Sequence, residues 1–257
     1  MRVCLLASGS GGNSIYIQNG SSSVLIDAGL TGKRIEERLQ GIGVDPSTLQ
    51  GIVVSHEHSD HIKGVGILAR RYHLPVWLTE GTLNASKKTF RGTEQIHVMD
   101  NDEDFSIGDL AFQAFQLPHD AADPVNFVVT DGNAQVAIAT DMGVMTQLVY
   151  QRLREVDFVV IESNYDLKML MDGPYPWDLK KRISGRHGHL PNDGAAETLC
   201  NLALEGLQQA VLAHLSEKNN HPDLARETCQ DMLVHRGIRN FSITVAAQDR
   251  PGDIFVV

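Results

Sequence analysis

The residues most able to do chemistry lie in one short run that follows an apolar segment. Residues 51–54 read Gly-Ile-Val-Val, which predicts a short buried strand, and the chain continues as His56-Glu-His-Ser-Asp-His61. In an extended segment, residues two apart point to the same side, so we expect His56 and His58 to bind one ion together. Asp60 and His61 follow where the chain must turn, and they can face a second ion. One histidine would fit a polar loop after a strand, but four ligand-type side chains in six positions indicate a metal site. Imidazole and carboxylate ligands suit Zn, Mn or Fe.

The spacing His-x-His-x-Asp-His resembles the signature of the metallo-β-lactamase superfamily. This resemblance implies an α/β (α+β) fold, a four-layer αβ/βα sandwich, with residues 1–257 as a single domain. It also implies two divalent metal ions per chain, Zn or Mn with Fe as a further candidate. The resemblance assigns His56, His58 and His119 to the first ion, Asp60, His61 and His214 to the second, and Asp141 to both as a bridge.

Three of these ligands each follow a predicted strand. The alternation of residues 110–117 predicts a half-buried strand that delivers His119, and the strand over 135–139 ends before Asp141. The strand over 209–213 leads directly to His214. Alone, His119 would more often be structural, and its role as a ligand comes from the order of the family's motifs. Lactam-cleaving members commonly carry cysteine at the position of Asp141, so this aspartate argues against cleavage of antibiotics.

Asp27 closes an earlier predicted strand and has two interpretations. It could cap the helix predicted over 31–39, as acidic residues commonly do. The matching aspartate of the family instead orients the histidine loop, a support that metal ligands generally require.

The glycine-rich run Ser8-Gly-Ser-Gly-Gly-Asn-Ser14 also has two interpretations, a tight turn or a loop whose backbone N–H groups approach an anionic substrate. It resembles the opening motif of the YycJ/WalJ-type branch of the superfamily, a group of exonucleases. On that basis we predict that Ser10 and Asn13 bind substrate.

A dense cationic segment precedes two histidines late in the chain. Its cations are Lys180, Lys181, Arg182 and Arg186. A solvated helix face is the usual explanation of a charge run, but His187 and His189 directly behind it favour an edge that faces phosphate. The segment resembles the GHLSN motif of the same branch, with Pro191 in place of the serine. The resemblance implies that His189 is the catalytic acid, oriented by Glu162. The predicted catalytic set is therefore Asp60, Glu162 and His189, and the predicted substrate contacts here are Lys181, Arg186, His187 and Asn192.

The composition limits the class of protein. The 257 residues are 42% hydrophobic and 21% charged, as in ordinary globular proteins, and no apolar run approaches the length of a membrane span. The apolar start, residues 1–7, is too short for a signal-peptide core and is predicted to be the first strand. Three widely spaced cysteines favour a reducing compartment, so we expect a cytoplasmic protein without a membrane partner. A net charge of −10 argues against a surface-wide affinity for nucleic acid but leaves room for a basic groove.

The remaining pattern alternates strands and helices. Helices are predicted over 62–72 and 80–90, a turn over 101–104, and a helix from the His189 region to about Leu204. The stretch between Asp141 and His214 is too short for the β-CASP domain that ribonuclease J and its relatives insert there. A single domain is therefore predicted.

The expected function is that of a dinuclear metal-dependent hydrolase. The resemblance implies a phosphodiesterase that acts on nucleic acid, with DNA as the first candidate, like a 5′→3′ exonuclease, through a hydroxide that bridges the metals. The alternative is a small-molecule hydrolase, either a cyclic phosphodiesterase or a glyoxalase II-like enzyme for thioesters or lactones. A diiron redox module is disfavoured, because such members usually carry glutamate where His58 stands. The sequence leaves the native metal, the polarity and the oligomeric state open.

Overall fold

The computed structural model describes residues 1–101 and 104–257, and the turn predicted over 101–104 lies partly outside them. Two seven-stranded sheets make up the strands of the described chain. The first sheet contains β1 (Arg2–Ala7), β2 (Ser14–Asn19), β3 (Ser22–Ile26), β4 (Gly51–Val53), β5 (Val76–Thr79), β6 (Ile96–Met99) and β14 (Phe255–Val256). The second contains β7 (Asp104–Ile107), β8 (Leu110–Gln116), β9 (Val125–Thr130), β10 (Gln135–Ala139), β11 (Phe158–Glu162), β12 (Gln209–Ala213) and β13 (Ser242–Val245).

The helices of the described chain connect and cover these strands. They are α1 (Gly32–Gly41), α2 (Ser59–Ile62), α3 (Val65–Tyr72), α4 (Glu80–Ala85), α5 (Gln147–Leu153), α6 (Leu167–Asp172), α7 (Trp177–Ile183), α8 (Asn192–Leu204) and α9 (Pro222–His235), with a 3₁₀ turn at Pro46–Thr48. No helix in the described ranges is both long and apolar enough to cross a membrane.

Each sheet combines an antiparallel part with a parallel part. The strand order is β14-β1-β2-β3-β4-β5-β6 in the first sheet and β13-β12-β11-β10-β9-β8-β7 in the second. Strands β3 to β6 run parallel to one another, and so do β10 to β13, while the other neighbours pair antiparallel. Parallel neighbours end at the same edge of a sheet, so residues that follow such strands are brought close together.

Three apolar clusters hold the layers together. The central cluster joins the inner faces of both sheets, where Val3 and Ile17 of the first lie in one cluster with Phe112 and Phe158 of the second. A second cluster joins the other face of the second sheet to α5, α8 and α9, and a third joins the first sheet to α1 and α3. Helices on the outside and two sheets inside make an αβ/βα sandwich of four layers. The predicted fold class is confirmed.

Two helix predictions need correction. The helix predicted over 62–72 is split into α2 and α3 at Gly64, whose N–H donates to the carbonyl of Ala28. A Cβ at Gly64 would lie 2.5 Å from the carbonyl oxygen of Leu30, so the close approach of two backbones requires glycine at this break. The helix predicted over 80–90 ends at Ala85, because the hydroxyl of Ser86 donates to the carbonyl of Thr82 and closes the last turn.

Three predicted site residues have unusual backbone conformations. Asp27, Asp141 and His214 have φ values of 59°, 59° and 56°, in the left-handed region that non-glycine residues seldom adopt. Each directly or nearly follows the end of β3, β10 or β12. Such conformations are retained where the surrounding structure fixes them, commonly at functional sites. Here they turn the chain sharply at the edge where the strands end.

Candidate metal centre

Three imidazoles form a first cluster at this edge. His56 Nε2 lies 3.1 Å from His58 Nδ1, and His119 Nε2 lies 3.2 Å from the same atom. A tetrahedral ion about 2.0–2.1 Å from each nitrogen holds its ligand atoms about 3.4 Å apart. The three nitrogens therefore have the spacing of a ligand set. They come from the loop after β4 and the loop after β8, as the sequence predicted.

A carboxylate and two imidazoles form a second cluster. Asp60 Oδ2 lies 3.7 Å from His61 Nε2 and 3.6 Å from His214 Nε2. Asp60 and His61 belong to α2, and His214 follows β12. These three ligand atoms lie within 4.8 Å of one another, close enough to hold one cation.

Asp141 lies between the two clusters. Its Oδ2 is 3.4 Å from His61 Nε2, and its Oδ1 is 3.9 Å from His119 Nε2. Asp141 Oδ2 and His214 Nε2 are both buried without a hydrogen-bond partner in the described structure. Buried polar atoms normally have partners, so two orphaned ligand-type atoms fit residues that bind a cation. The donor set fits divalent metal ions.

The electrostatics of the site divide the histidines into two kinds. Burial lowers the pKa of His56 well below its ordinary value, and the neighbouring imidazoles lower it further. Burial alone would also lower the pKa of His61, but the carboxylates of Asp141 and Asp27 outweigh it and raise this pKa to about 9. The pKa of His214 is likewise raised, since Asp141 and other carboxylates outweigh burial. The neutral imidazole of His56 is the form that binds a metal, and the carboxylates attract positive charge beside it.

Glu162 connects more of the site than the sequence indicated. Its Oε1 lies 2.8 Å from His189 Nδ1, as expected, but also 2.7 Å from His214 Nδ1. Its Oε2 accepts hydrogen bonds from the backbone N–H groups of Met142 and Leu190. Burial alone would raise the pKa of Glu162, yet His189 and His214 hold it well below its usual value. A single buried carboxylate thus orients a predicted ligand and the predicted acid.

Asp27 contacts the histidine loop rather than a helix end. Its Oδ1 accepts from Ser55 N at 2.8 Å, and its Oδ2 accepts from Ser55 Oγ at 2.8 Å and lies 2.7 Å from His61 Nδ1. The N-cap of α1 is Thr31, so the interpretation of Asp27 as a helix cap is wrong. Sequence reasoning missed Ser55, whose hydroxyl also lies 2.9 Å from His56 Nδ1. Its signal was its position directly before the motif.

The glycine-rich loop touches the second cluster through two side chains. Asn13 Nδ2 lies 3.0 Å from His61 Nε2 and 3.3 Å from Asp60 Oδ2, while its Oδ1 accepts from Gly9 N. Ser8 Oγ accepts a hydrogen bond from His214 N. Asn13, predicted to bind substrate, therefore lies against the ligands themselves. Ser10 is exposed on the same loop, without a contact to the clusters in the described hydrogen-bond network.

Two of the four cations in the cationic segment have partners within the protein. Lys180 is buried, and its Nζ donates to the carbonyl of Met171 at 2.6 Å. Arg182 Nε pairs with Asp120 Oδ2 at 2.5 Å, next to His119. Lys180 is therefore used within the fold, whereas the side chain of Arg182 is 60% exposed and its charge is paired at the surface. Lys181, Arg186 and His187 are exposed, so the segment still presents positive charge beside the site.

Asn192 is the predicted substrate contact that the structure places elsewhere. It is only 2% exposed, its Oδ1 accepts from Ser163 Oγ, and its Nδ2 donates to Asn220 Oδ1. Both ends of the amide are engaged in a buried network at the start of α8. The prediction that Asn192 contacts substrate is therefore corrected to a structural role.

The fold and the site define a class of protein, and comparison with known proteins gives its family. A family model described as a beta-lactamase superfamily domain matches residues 22–215, and the chain belongs to this superfamily. Its fold is similar to that of the metallo-beta-lactamase fold protein YhfI of Bacillus subtilis, with a TM-score of 0.76 and 18% identity over 98% of this chain and 99% of the other.

Within the superfamily, two relatives match over most of their length. The chain is 37% identical to the exodeoxyribonuclease YycJ of Bacillus anthracis, over 92% of this chain and 90% of the relative. It is 35% identical to the exodeoxyribonuclease WalJ of Streptococcus pneumoniae, over 91% of this chain and 88% of the relative. The predicted resemblance to the superfamily and to this branch is confirmed.

Proposed function

We propose that this protein is a metal-dependent phosphodiesterase that shortens nucleic acid, with DNA as its substrate, as an exonuclease. The observation that carries the proposal is a half-buried imidazole beside the metal-binding clusters. His189 Nδ1 lies 4.0 Å from Asp141 Oδ1 and is held by Glu162, which leaves its other nitrogen available to a substrate. Two relatives named exodeoxyribonucleases that match nine-tenths of the chain support the choice of substrate.

The side chains at the edge of the sheets would hold two divalent ions. One ion would be held by His56, His58 and His119, the other by Asp60, His61 and His214, with Asp141 shared between them. Such ions, when bound, lower the pKa of water and neutralise the charge that develops on phosphoryl oxygens. Zn and Mn fit this imidazole and carboxylate set, and Fe is a further candidate.

The residues around the ligands fix their direction. Asp27 and Glu162 accept from the Nδ1 atoms of His61 and His214, which leaves the Nε2 atoms of both imidazoles to face a cation. Asn13 and Ser55 add contacts to the same group. These contacts hold the site in one arrangement before any substrate arrives, so little reorganisation accompanies the reaction.

His189 supplies the proton in this proposal. Its Nδ1–H donates to the buried carboxylate of Glu162, which fixes the orientation of the ring. The ring can then pass the proton from Nε2 to the oxygen that leaves phosphorus. Glu162 acts through His189 and is a positioning residue for this step.

The exposed cations of α7 and the loop after it would attract the rest of the strand. Lys181 and Arg186 are exposed, whereas the protein as a whole carries a formal charge of −10. Attraction confined to this edge would bring phosphates to the metal centre without a general affinity for polyanions. The match over about nine-tenths of both relatives also supports a single domain without a β-CASP insertion.

A panel of substrates tests the proposal. Metal-reconstituted protein is offered single-stranded DNA, RNA of the same sequence, bis-p-nitrophenyl phosphate and a thioester such as S-lactoylglutathione. We expect hydrolysis of DNA, with mononucleotides as the first products, and turnover of the small diester. Rapid cleavage of the thioester without cleavage of either oligonucleotide would overturn the proposal in favour of a small-molecule hydrolase.

A further inference from the structure

A cavity of about 410 Å³ opens beside His119, on the side of the site that faces α5. Its lining includes the apolar residues Pro118, Pro124 and Leu148 together with Arg186 and His187. Leu148 is 46% exposed, so its apolar side chain is accessible to a ligand. A lining that combines apolar side chains with a cation can receive a ligand that has a flat apolar part and a charged part.

Hydrogen bonds between loops make this cavity a fixed feature. The N–H of Asp120 donates to the carbonyl of His187, and the N–H of Gly143 donates to the carbonyl of Pro118. A Cβ at Gly143 would lie 2.3 Å from the carbonyl oxygen of Gly185, so only glycine allows these loops to meet. These contacts join the loops that carry His119, Asp141 and His189.

Arg186 provides the free charge of the cavity. In residues 1–101 and 104–257, its guanidinium has no acidic partner, whereas Arg182 is paired with Asp120. A second cavity, of about 470 Å³, lies beside the glycine-rich loop and has a balanced charge. It combines Arg34, Arg38 and Arg250 with Glu37, Glu217 and Asp249. The attraction for a phosphate is therefore greater beside His119.

We infer that the cavity beside His119 binds the terminal nucleotide of the strand, with its base against Leu148 and its phosphate towards Arg186. This inference rests on the proposed function and adds the subsite that would make the enzyme act at strand ends. The volume lies in the range of small-molecule sites, which suits a single nucleotide at the end of a strand. Bases pack on apolar and aromatic surfaces whatever their sequence, so this pocket would accept any of them.

Inhibition by products tests the inference directly. A deoxynucleoside 5′-monophosphate and deoxyribose 5-phosphate, which lacks the base, are compared as inhibitors of bis-p-nitrophenyl phosphate hydrolysis. In Leu148→Asn the mononucleotide should inhibit about tenfold more weakly, because the apolar contact with the base is lost, while inhibition by the base-free compound should hardly change. Arg186→Gln should weaken inhibition by both compounds to a similar extent.

Two further variants keep the test clear. Ala121→Trp places a bulky ring in the cavity and should also discriminate against the mononucleotide. Leu204→Asn is the matched control, since Leu204 is 66% exposed at the far end of α8 and should affect neither inhibitor. Mononucleotide inhibition that is unchanged in both Leu148→Asn and Ala121→Trp would overturn the inference. The proposed function fails separately, if the wild-type protein cleaves no oligonucleotide.

Discussion

Replacing Glu162 by glutamine should destabilise the protein strongly, although the side chain keeps its shape. The carboxylate is fully buried and accepts from four donors: His189 Nδ1, His214 Nδ1, Met142 N and Leu190 N. Its two oxygens each serve two of these donors. A glutamine amide has one accepting oxygen and one NH₂ group that donates. Its best orientation keeps the oxygen on the two backbone N–H groups and makes both imidazoles accept at Nδ1, so two hydrogen bonds to a charged carboxylate become neutral ones.

The magnitude follows from the loss of charge in those two hydrogen bonds. A hydrogen bond to a charged group contributes about 1.5–3 kcal/mol and a neutral one about 0.5–1.5 kcal/mol, so Glu162→Gln should lower the free energy of unfolding by about 2–3 kcal/mol. The free energy of unfolding of a typical domain is roughly 5–15 kcal/mol, so this loss would be a large part of it. The free energy of unfolding should decrease in metal-free protein as well, because all four contacts are made within the chain.

Urea denaturation followed by circular dichroism, in the presence of a chelator, measures this difference. Glu197→Gln is the matched control, since Glu197 is exposed on α8 and its replacement should change stability by less than about 0.5 kcal/mol. A loss of less than about 1 kcal/mol in Glu162→Gln would refute the reasoning, because Glu162 could then not be the acceptor for all four groups.

Three further predictions concern the site and its cationic edge. His189→Ala should reduce hydrolysis of a nucleotide diester by about 10²–10⁴-fold. The loss should be much smaller for a nitrophenyl ester, because its leaving group needs no proton. Equal losses on both substrates would make His189 a binding residue. Charge reversal at both Lys181 and Arg186 should weaken binding of a DNA strand, measured by fluorescence anisotropy. The slope of the logarithm of the binding constant against the logarithm of the salt concentration should become shallower by up to about two units. An unchanged slope would show that neither residue belongs to the binding surface. Asp27→Ala should weaken metal affinity about 10–100-fold, measured in competition with a chromophoric chelator. A variant that binds metal as tightly as the wild-type protein would show that the contacts of Asp27 do not orient the ligands.

The spacing of the histidine motif, together with the order of the family's motifs, predicted which side chains meet. His119, Asp141 and His214 follow separate strands, and each lies at the edge where His56 begins its loop. The position of each ligand could be predicted because apolar strands are recognisable in the sequence, and the chain must turn where polar residues follow them. The resemblance supplied the order of the motifs, which spacing alone could not.

Contacts between neighbouring strands could not be predicted in the same way. Glu162 reaches His214 because β11 and β12 pair in parallel, with Glu162 opposite Ala213. The two residues are fifty-two positions apart, and only the strand order brings them together. The same limit applies to Gly64, where the approach of Leu30 breaks a helix that its periodicity would continue.

The direction of charged side chains also depends on tertiary packing. Lys180 and Arg182 belong to the same run as Lys181, yet the first contacts Met171 and the second pairs with Asp120. Charge patterning identifies a cationic segment but does not show which residues face solvent, because that depends on how α7 packs. Lys180 is therefore unavailable to a substrate, and Arg182, although exposed, has its charge paired with Asp120.

Metal titration of the chelator-treated protein, with cleavage of single-stranded DNA as the readout, tests the central claim most directly. The clusters around His56 and His61 share Asp141, so cleavage should be absent without metal, rise with added Zn or Mn, and level off at about two equivalents per chain. Asp141→Ala should lower the metal content and abolish cleavage. Cleavage that persists without metal, or that levels off at one equivalent and is unchanged in Asp141→Ala, would contradict a reaction carried by two metal ions held at this site.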